Sequence, residues 1–384
     1  MDGSAPEGHR DDVRGLSRRG LLGIAGATAA AAAMGGLVGG STPAQAAETL
    51  PGRKPTSTAG MLVTLLGTAG GPPAQADRYG ISSVLTVDGR NYVIDCGRGA
   101  VSRYMRAGLS MPDLTAIFLT HLHSDHTVDY FAFPLLAGGV VGAQGFLSPI
   151  GVWGPGASGL PSQISGATGT TPGTVEMTRL ANESFAASTT FFLDEHFFAD
   201  PASMLTVHDV LPPASAGASA SNPAPTMEPF AVMEDDRVKV TATLVPHGAV
   251  WPALAYRFDS DHGSVVFSGD TAPTPNIIRL AAGADLLLHE TADFAALPKL
   301  GYPEAVIEHI KLVHTDVGDL GAIAKAADVR ALVATHLSPV DPSVVPDHVW
   351  RKKLRESGRA AGYDGRLTLG SDLMRIEVGT ARRR

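Results

Sequence analysis

Across 384 residues the chain carries a single cysteine, Cys96. One thiol excludes an intramolecular disulfide framework and any metal site built from cysteine alone. Charge is scarce as well. Asp, Glu, Lys and Arg make up 18% of the sequence, and 38 acidic against 30 basic residues give a net charge of −8. An acidic chain without a basic stripe argues against strong electrostatic capture of nucleic acid. It leaves room for a small phosphodiester held through metal. No internal repeat at a fixed period is present. Turn chemistry is plentiful instead: 44 glycines and 27 prolines predict many loops. The 44% hydrophobic content is enough to bury a large core in one large domain or two.

The N-terminus reads as an export signal. Ser17-Arg18-Arg19-Gly20-Leu21-Leu22 is a paired-arginine segment, and an Ala/Gly-rich apolar run follows to about Gly40. Ala44-Gln45-Ala46 then offers a cleavage site before Ala47. The run is long enough to span a bilayer, but it is mostly Ala and Gly and ends in that cleavage site. Residues 1–46 are therefore expected to be a cleaved twin-arginine signal, and Pro/Thr/Ser-rich residues 47–60 a flexible lead-in. The mature protein is expected in the periplasm or secreted, with no stable membrane association. The signal holds four Lys/Arg and four Asp/Glu, so its removal leaves the net charge unchanged.

Beyond it, Met61 to Leu66 reads as a buried strand, and Ile81–Val87 with Asn91–Ile94 as a hairpin closed by Asp88-Gly89. A helix is expected over Val101–Ala107, stopped by Gly108. Residues 140–230, rich in Gly, Ala, Ser, Thr and Pro, read as a loop-rich insert, with packed islands at Phe191-Phe192-Leu193 and Ala202–Val210. Pro212–Pro225 within it reads as a surface loop. Strands are expected again at Val238–Val245, Ala253–Phe258, Ser264–Phe267, Asp285–Leu288 and Ala331–Ala334. Helices are expected at Pro275–Ala282 and Thr315–Ala327. Early hairpins and late β-α alternation predict an α/β domain with two sheets buried between helices.

The densest chemistry lies at His121-Leu122-His123-Ser124-Asp125-His126, straight after the apolar run Leu114–Thr120. Imidazole and carboxylate suit zinc and similar ions. Alternation along an extended segment puts His121 and His123 on one side, while Asp125 and His126 follow in a turn and are free to serve a second ion. Two ions about 3.5–4 Å apart clamp the attacking and leaving oxygens of an ester. Four more polar groups sit at strand ends downstream: His247 in Val245-Pro246-His247-Gly248, Asp270 in Ser268-Gly269-Asp270-Thr271, Glu290 in His289-Glu290-Thr291, and His336 in Thr335-His336-Leu337-Ser338-Pro339.

On these motifs the chain resembles the metallo-β-lactamase superfamily, in particular its ribonuclease Z and arylsulfatase-like branch, over about Met61 to Ile376. The resemblance implies a four-layer αββα sandwich at 61–378 with a dinuclear site at one sheet edge. It implies a first zinc on His121, His123 and His247, a second on Asp125, His126 and His336, and Asp270 bridging both, with a bridging hydroxide between them. Mixed His/carboxylate donors admit manganese or iron as well. It also implies that His314, paired with Glu290, protonates the leaving group; the catalytic set is Asp125, Glu290 and His314. A carboxylate beside an imidazole raises the imidazolium population near neutral pH. His289 is expected to brace the site, Asp95 to support the ligand loop, and Cys96 to be a small buried apolar residue.

The chain departs from the family pattern at Asp129, where a glycine is usual, and in the short 23-residue step from His247 to Asp270. That step has no room for the RNA-binding arm that transfer-RNA-processing relatives place there. The leading expectation is an extracytoplasmic hydrolase of a sulfate ester or phosphodiester with a small-molecule substrate. A ribonuclease Z-like phosphodiesterase on nucleotides or RNA comes second, and lactone or β-lactam hydrolysis third. Intact donors at all seven positions argue against a non-catalytic metal-binding protein. Relatives of this branch are often dimers, so the resemblance implies a homodimer. His196 and His208 are placed in the insert; His9, His262, His309 and His348 are read as surface or packing positions.

Overall fold

The computed structural model describes residues 60–379 apart from 143, 167 and 168. The export signal expected at 1–46 and the lead-in up to residue 59 lie outside the described residues. No helix among the described residues is long and apolar enough to cross a membrane.

Runs rich in Val, Ile, Leu and Thr, which suit a pleated surface, form two seven-stranded sheets. The first opens with an antiparallel meander of β1 (Met61–Gly67), β2 (Ser82–Val87) and β3 (Arg90–Ile94). Parallel pairing adds β4 (Leu114–Phe118), β5 (Ile150–Pro155) and β6 (Leu205–Val210). The second sheet repeats this plan. Antiparallel β7 (Phe230–Glu234), β8 (Lys239–Leu244), β9 (Leu254–Ser260) and β10 (Gly263–Phe267) come first. Parallel β11 (Leu286–Ala292), β12 (Ala331–Ser338) and β13 (Arg366–Leu369) follow. The chain then returns to the first sheet as β14 (Arg375–Val378), antiparallel to β1.

Between the sheets lies a core centred on Phe118, which stacks on Trp153 at 5.3 Å and meets Tyr256 and Phe258 edge-on at 5.4 and 5.0 Å. Burying each such ring contributes on the order of 1.5–3 kcal/mol. The outer face of the first sheet is covered by α1 (Ala100–Arg106), which buries Tyr104, and by the segment around Phe133. The outer face of the second is covered by α5 (Pro275–Leu280), α7 (Leu320–Ala326) and α8 (Asp347–Ala361). On α8 the residues Trp350, Leu354, Ser357 and Gly358 are buried, the spacing of one helical face. The layers are those of a metallo-β-lactamase αββα sandwich, as expected. The remaining helices, α2 (Ser124–Thr127), α3 (Thr174–Ser184), α4 (Ala186–Asp194) and α6 (Glu304–Val313), lie in connections.

The insert departs from its expected loop-rich character. Residues 140–230 supply β5 and β6 to the first sheet, together with α3 and α4. The apolar stripe of these helices is weak: the fully buried residues of α3 are Thr174 and Thr178, with Met177 and Ala181 half-buried beside them, and α4 has no fully buried residue. The island at Phe191-Phe192-Leu193 is a helix in which Phe191 is 68% exposed while Phe192 stacks on the buried Phe198 at 5.0 Å. The helix expected over Thr315–Ala327 starts at Leu320, because the Asp316 carboxylate accepts from the Gly318 amide at 2.8 Å and fixes a turn there. The preceding residues form α6, which was not anticipated.

Candidate metal centre

The strand β4 ends against Thr120, and Thr120 anchors the site. Its amide and hydroxyl both donate to the Asp95 carboxylate, at 2.8 and 2.9 Å. Asp95 Oδ2 also accepts from His126 Nδ1 at 2.9 Å. Asp95 therefore supports the ligand loop, as the resemblance implies, and it holds the His126 ring by Nδ1 so that Nε2 faces the centre. His247 is fixed in the same way: its Nδ1 donates to the Val313 carbonyl at 3.0 Å.

With these rings oriented, the polar atoms converge in two groups. One holds His121, His123 and His247, and the other holds Asp125, His126, Asp270 and His336, with the ligand atoms of each group within 4.8 Å of one another. His123 Nδ1 lies 3.0 Å from His121 Nε2 and 3.3 Å from His247 Nε2. Asp270 reaches both groups. Its Oδ1 is 3.3 Å from His126 Nε2, while its Oδ2 is 3.3 Å from His336 Nε2 and 3.8 Å from His247 Nε2. Gly269, with φ +58°, turns the chain into Asp270; a Cβ there would stand 2.6 Å from the Leu254 carbonyl oxygen.

His336 arrives by a device the sequence does not announce. The sequence places it just after its strand, yet β12 continues through Ser338. Glu290 pairs with Thr335 and Thr291 with Leu337, so His336 is the extra residue of a bulge. Its φ is +44°, and the bulge re-aims the ring from the strand toward Asp125 Oδ2, 3.3 Å away. The turn after β1 packs on this ring: a Cβ at Gly70 would meet His336 Nδ1 at 2.8 Å. The next amide, Gly71, donates to Asp125 Oδ2 at 3.2 Å. Thr120, Gly71 and the Val313 carbonyl were not singled out from sequence; the Gly70-Gly71 pair and the threonine abutting the hexad were the available signals.

The donor chemistry fits cations. His126 Nε2 and Asp270 Oδ1 are buried without a hydrogen-bond partner and face each other at 3.3 Å. Burial would lower the His126 pKa, but the Asp270 and Asp95 charges override it and raise it well above the usual imidazole range. Burial holds His121 and His123 below the usual imidazole range and His247 at about 4, so all three stay neutral donors at neutral pH. Burial opposes charge on Asp125 and Asp270. The surrounding histidines outweigh it, holding Asp125 at about 2 and Asp270 well below the carboxylate range. Imidazole nitrogens and ionised carboxylates at these separations, with a cation taking the place of the His126 Nε2 proton, form a donor set for two divalent ions.

Glu290 and His314 stand over the same centre. Glu290 Oε1 accepts from the Thr271 and Thr315 amides at 3.2 and 3.0 Å, which leaves Oε2 facing His314 Nδ1 at 3.3 Å. Burial alone would lower the His314 pKa; the Glu290 charge overrides it and raises the value to about 9. His314 caps the C-terminus of α6 rather than starting the next helix, and its ring stacks over His336 with centroids 5.8 Å apart. His289 is buried with Nδ1 on the Glu290 carbonyl at 2.7 Å and belongs to neither donor group. Asp129 packs under α1, accepting from the Val101 amide at 3.3 Å. His208 stacks on Trp153, His262 pairs with Asp88, and His196, His309 and His348 are exposed; none of these joins the centre. Cys96 is buried, and burial pushes its thiol up.

Fold and donors together define a metal-dependent hydrolase of the metallo-β-lactamase fold. Residues 187–337 match the family described as Beta-lactamase superfamily domain, and residues 61–133 match the one described as Anti-Pycsar protein Apyc1. A ribonuclease Z of Mycobacterium sp. (strain KMS) is 31% identical over 317 residues, spanning 82% of this chain and 95% of the relative. The chain belongs to the ribonuclease Z family. Among solved structures, the metallo-β-lactamase fold protein YhfI from Bacillus subtilis superposes with a TM-score of 0.55 at 18% identity, covering 83% of this chain and 98% of its own. The short form of human tRNase Z gives 0.54 at 21% identity, covering 83% and 99%.

Proposed function

We propose that the protein hydrolyses phosphodiesters of small molecules. The observation that carries this reading is the pair of donor groups sharing Asp270 with the Glu290–His314 couple beside them. Two divalent cations held there, zinc in our reading, supply charge neutralisation at the phosphoryl oxygens and activation of water. The chain's own residues do the rest. Asp95, Thr120 and the Val313 carbonyl hold the imidazoles in register, so no reorganisation is needed during reaction. As the bond from water oxygen to phosphorus forms, the bond to the leaving oxygen breaks. Asp125, kept ionised, accepts a hydrogen bond from the attacking water and orients it; the proton that water loses passes to solvent, and His314 gives one to the departing oxygen. Glu290, pinned by two backbone amides, keeps His314 charged for that transfer.

Substrate size follows from what surrounds the centre. The interval from His247 to Asp270 holds only a tight turn, β9 and β10. With a net charge of −8, that supports a compact diester over a folded RNA. We expect kcat/KM on bis-p-nitrophenyl phosphate to exceed that on p-nitrophenyl sulfate by at least about 100-fold, with both lost on chelation. A faster sulfate ester, lactone or β-lactam reaction would replace this reading with that substrate.

The export reading is a separate proposal, resting on Arg18 and Arg19 outside the described residues. Converting both to lysine should leave the full-length chain in the cytoplasm, whereas the unaltered chain is recovered outside it and begins near Ala47. An unchanged distribution in a fractionation experiment would refute it.

A further inference from the structure

Beside His123 lies a recess of about 210 Å³ whose chemistry differs from that of the metal centre. Its walls include Leu122, Pro155, Leu160, Pro172, Val250 and Trp251, and among the described residues no Asp, Glu, Lys or Arg lines it. Two walls are attached to ligand segments. Leu122 sits between His121 and His123, and the Val250 amide donates to the His247 carbonyl at 3.1 Å. The third comes from the insert after β5. That segment is pinned rather than loose: the Thr171 amide donates to the Leu160 carbonyl at 2.8 Å, and Pro161 bridges Thr170. Trp251 is half-buried and Leu160 is 43% exposed, so apolar surface faces solvent at the edge of a highly polar site.

A space of this size takes one ring and little more, since an apolar cavity of about 150 Å³ already accommodates benzene. A charged group entering it would lose water and gain no counter-charge, whereas a flat apolar group would stack on the indole. We infer that the recess binds an uncharged aromatic ring carried by the substrate, so that the preferred diester bears an aryl group or a nucleobase next to the scissile phosphate. This rests on the phosphodiester reading above and gives the insert a role in specificity. The apolar walls select the ring, while the Ser158 hydroxyl, which accepts from the Leu160 amide at 3.0 Å, keeps its proton for a base or ring substituent.

Equilibrium binding to the metal-loaded protein tests this without turnover. Two pairs of probes are compared: phenylphosphonate with methylphosphonate, and adenosine 5′-monophosphate with ribose 5-phosphate. The ring-bearing member of at least one pair should bind about tenfold tighter or more, and the pair that shows it identifies an aryl group or a base as the source. Trp251→Ala should bring that ratio below about threefold. Leu160→Asp, at a position exposed enough to spare the core, should do the same by placing a carboxylate on the wall. Ratios near one for both pairs, or a ratio retained in both folded variants, would overturn the inference. The two readings separate cleanly. Ratios near one with active cleavage of bis-p-nitrophenyl phosphate sink the recess alone; a strong ratio without cleavage of any diester sinks the phosphodiester reading and leaves the recess standing.

Discussion

Asp270→Ala is expected to release both cations and reduce diester hydrolysis by more than about 10³-fold, beyond the roughly 10²–10³-fold cost of losing one electrostatic stabiliser. The reason lies in its two oxygens. Oδ1 faces His126 Nε2 at 3.3 Å, and Oδ2 faces His336 Nε2 at 3.3 Å and His247 Nε2 at 3.8 Å. Among the described residues no other carboxylate is grouped with members of both donor sets. Without it, the three-histidine group has no carboxylate, and two divalent charges a few ångströms apart repel with nothing between them. Asp270→Asn separates shape from charge. It keeps one oxygen acceptor and the volume, so about one cation per chain should survive in the three-histidine group while activity stays lost. Metal content measured on purified protein, alongside kcat/KM, checks both. Two cations retained by Asp270→Asn with near-native turnover would show that Asp270 does not bridge.

How far the sequence carries this centre depends on the device that positions each residue. His121 to His126 are legible because a short apolar strand hands them directly to a turn, a local pattern with a local cause. Asp88-Gly89 between two alternating runs specifies the β2–β3 hairpin for the same reason. His336 carries the right residue type, but its ring enters the site only because β12 is bulged against β11, and that mismatch exists only once both strands pair. The Thr120–Asp95–His126 triad is likewise half visible. Asp95 stands out on the motif, whereas the threonine joins it through a contact 25 residues distant.

The insert is the stretch where reading failed most, and its physics explains why. Helix α3 turns Thr174 and Thr178 inward beside the half-buried Met177 and Ala181, and the Thr178 hydroxyl donates to the Thr174 carbonyl at 2.8 Å, so threonines interrupt the apolar period on the buried face. Helix α4 has no fully buried residue: Phe191 is exposed and Phe192 is half-buried against Phe198. The wall around Leu160 is set by local hydrogen bonds, from the Thr171 amide to Leu160 and from the Ser162 amide to Gly169, and by an isolated bridge, none of which has a compositional signature. Catalytic donors were legible because chemistry restricts their type. The recess was not, because many apolar residues would build it equally well.

His314→Ala should leave both cations bound and lower kcat by an amount set by the leaving group. A general acid contributes typically about 10²–10⁴-fold where the departing oxygen needs a proton. An alkoxide such as ribose oxygen needs one badly; p-nitrophenolate leaves as a stable anion. The variant is therefore expected to lose on the order of 10²–10⁴-fold on a nucleotide diester with a sugar leaving group and less than about tenfold on bis-p-nitrophenyl phosphate. Glu290→Gln should follow the same pattern more weakly, because the amide still accepts from Thr271 and Thr315 but no longer holds charge on His314. The competing role is ligation, since the His314 ring also comes within 4.8 Å of His247 and Asp270 ligand atoms. That role predicts a different signature: metal content falls, and both substrates lose activity equally. Plotting the loss against leaving-group basicity, with metal content measured on the same sample, decides between proton donor and ligand.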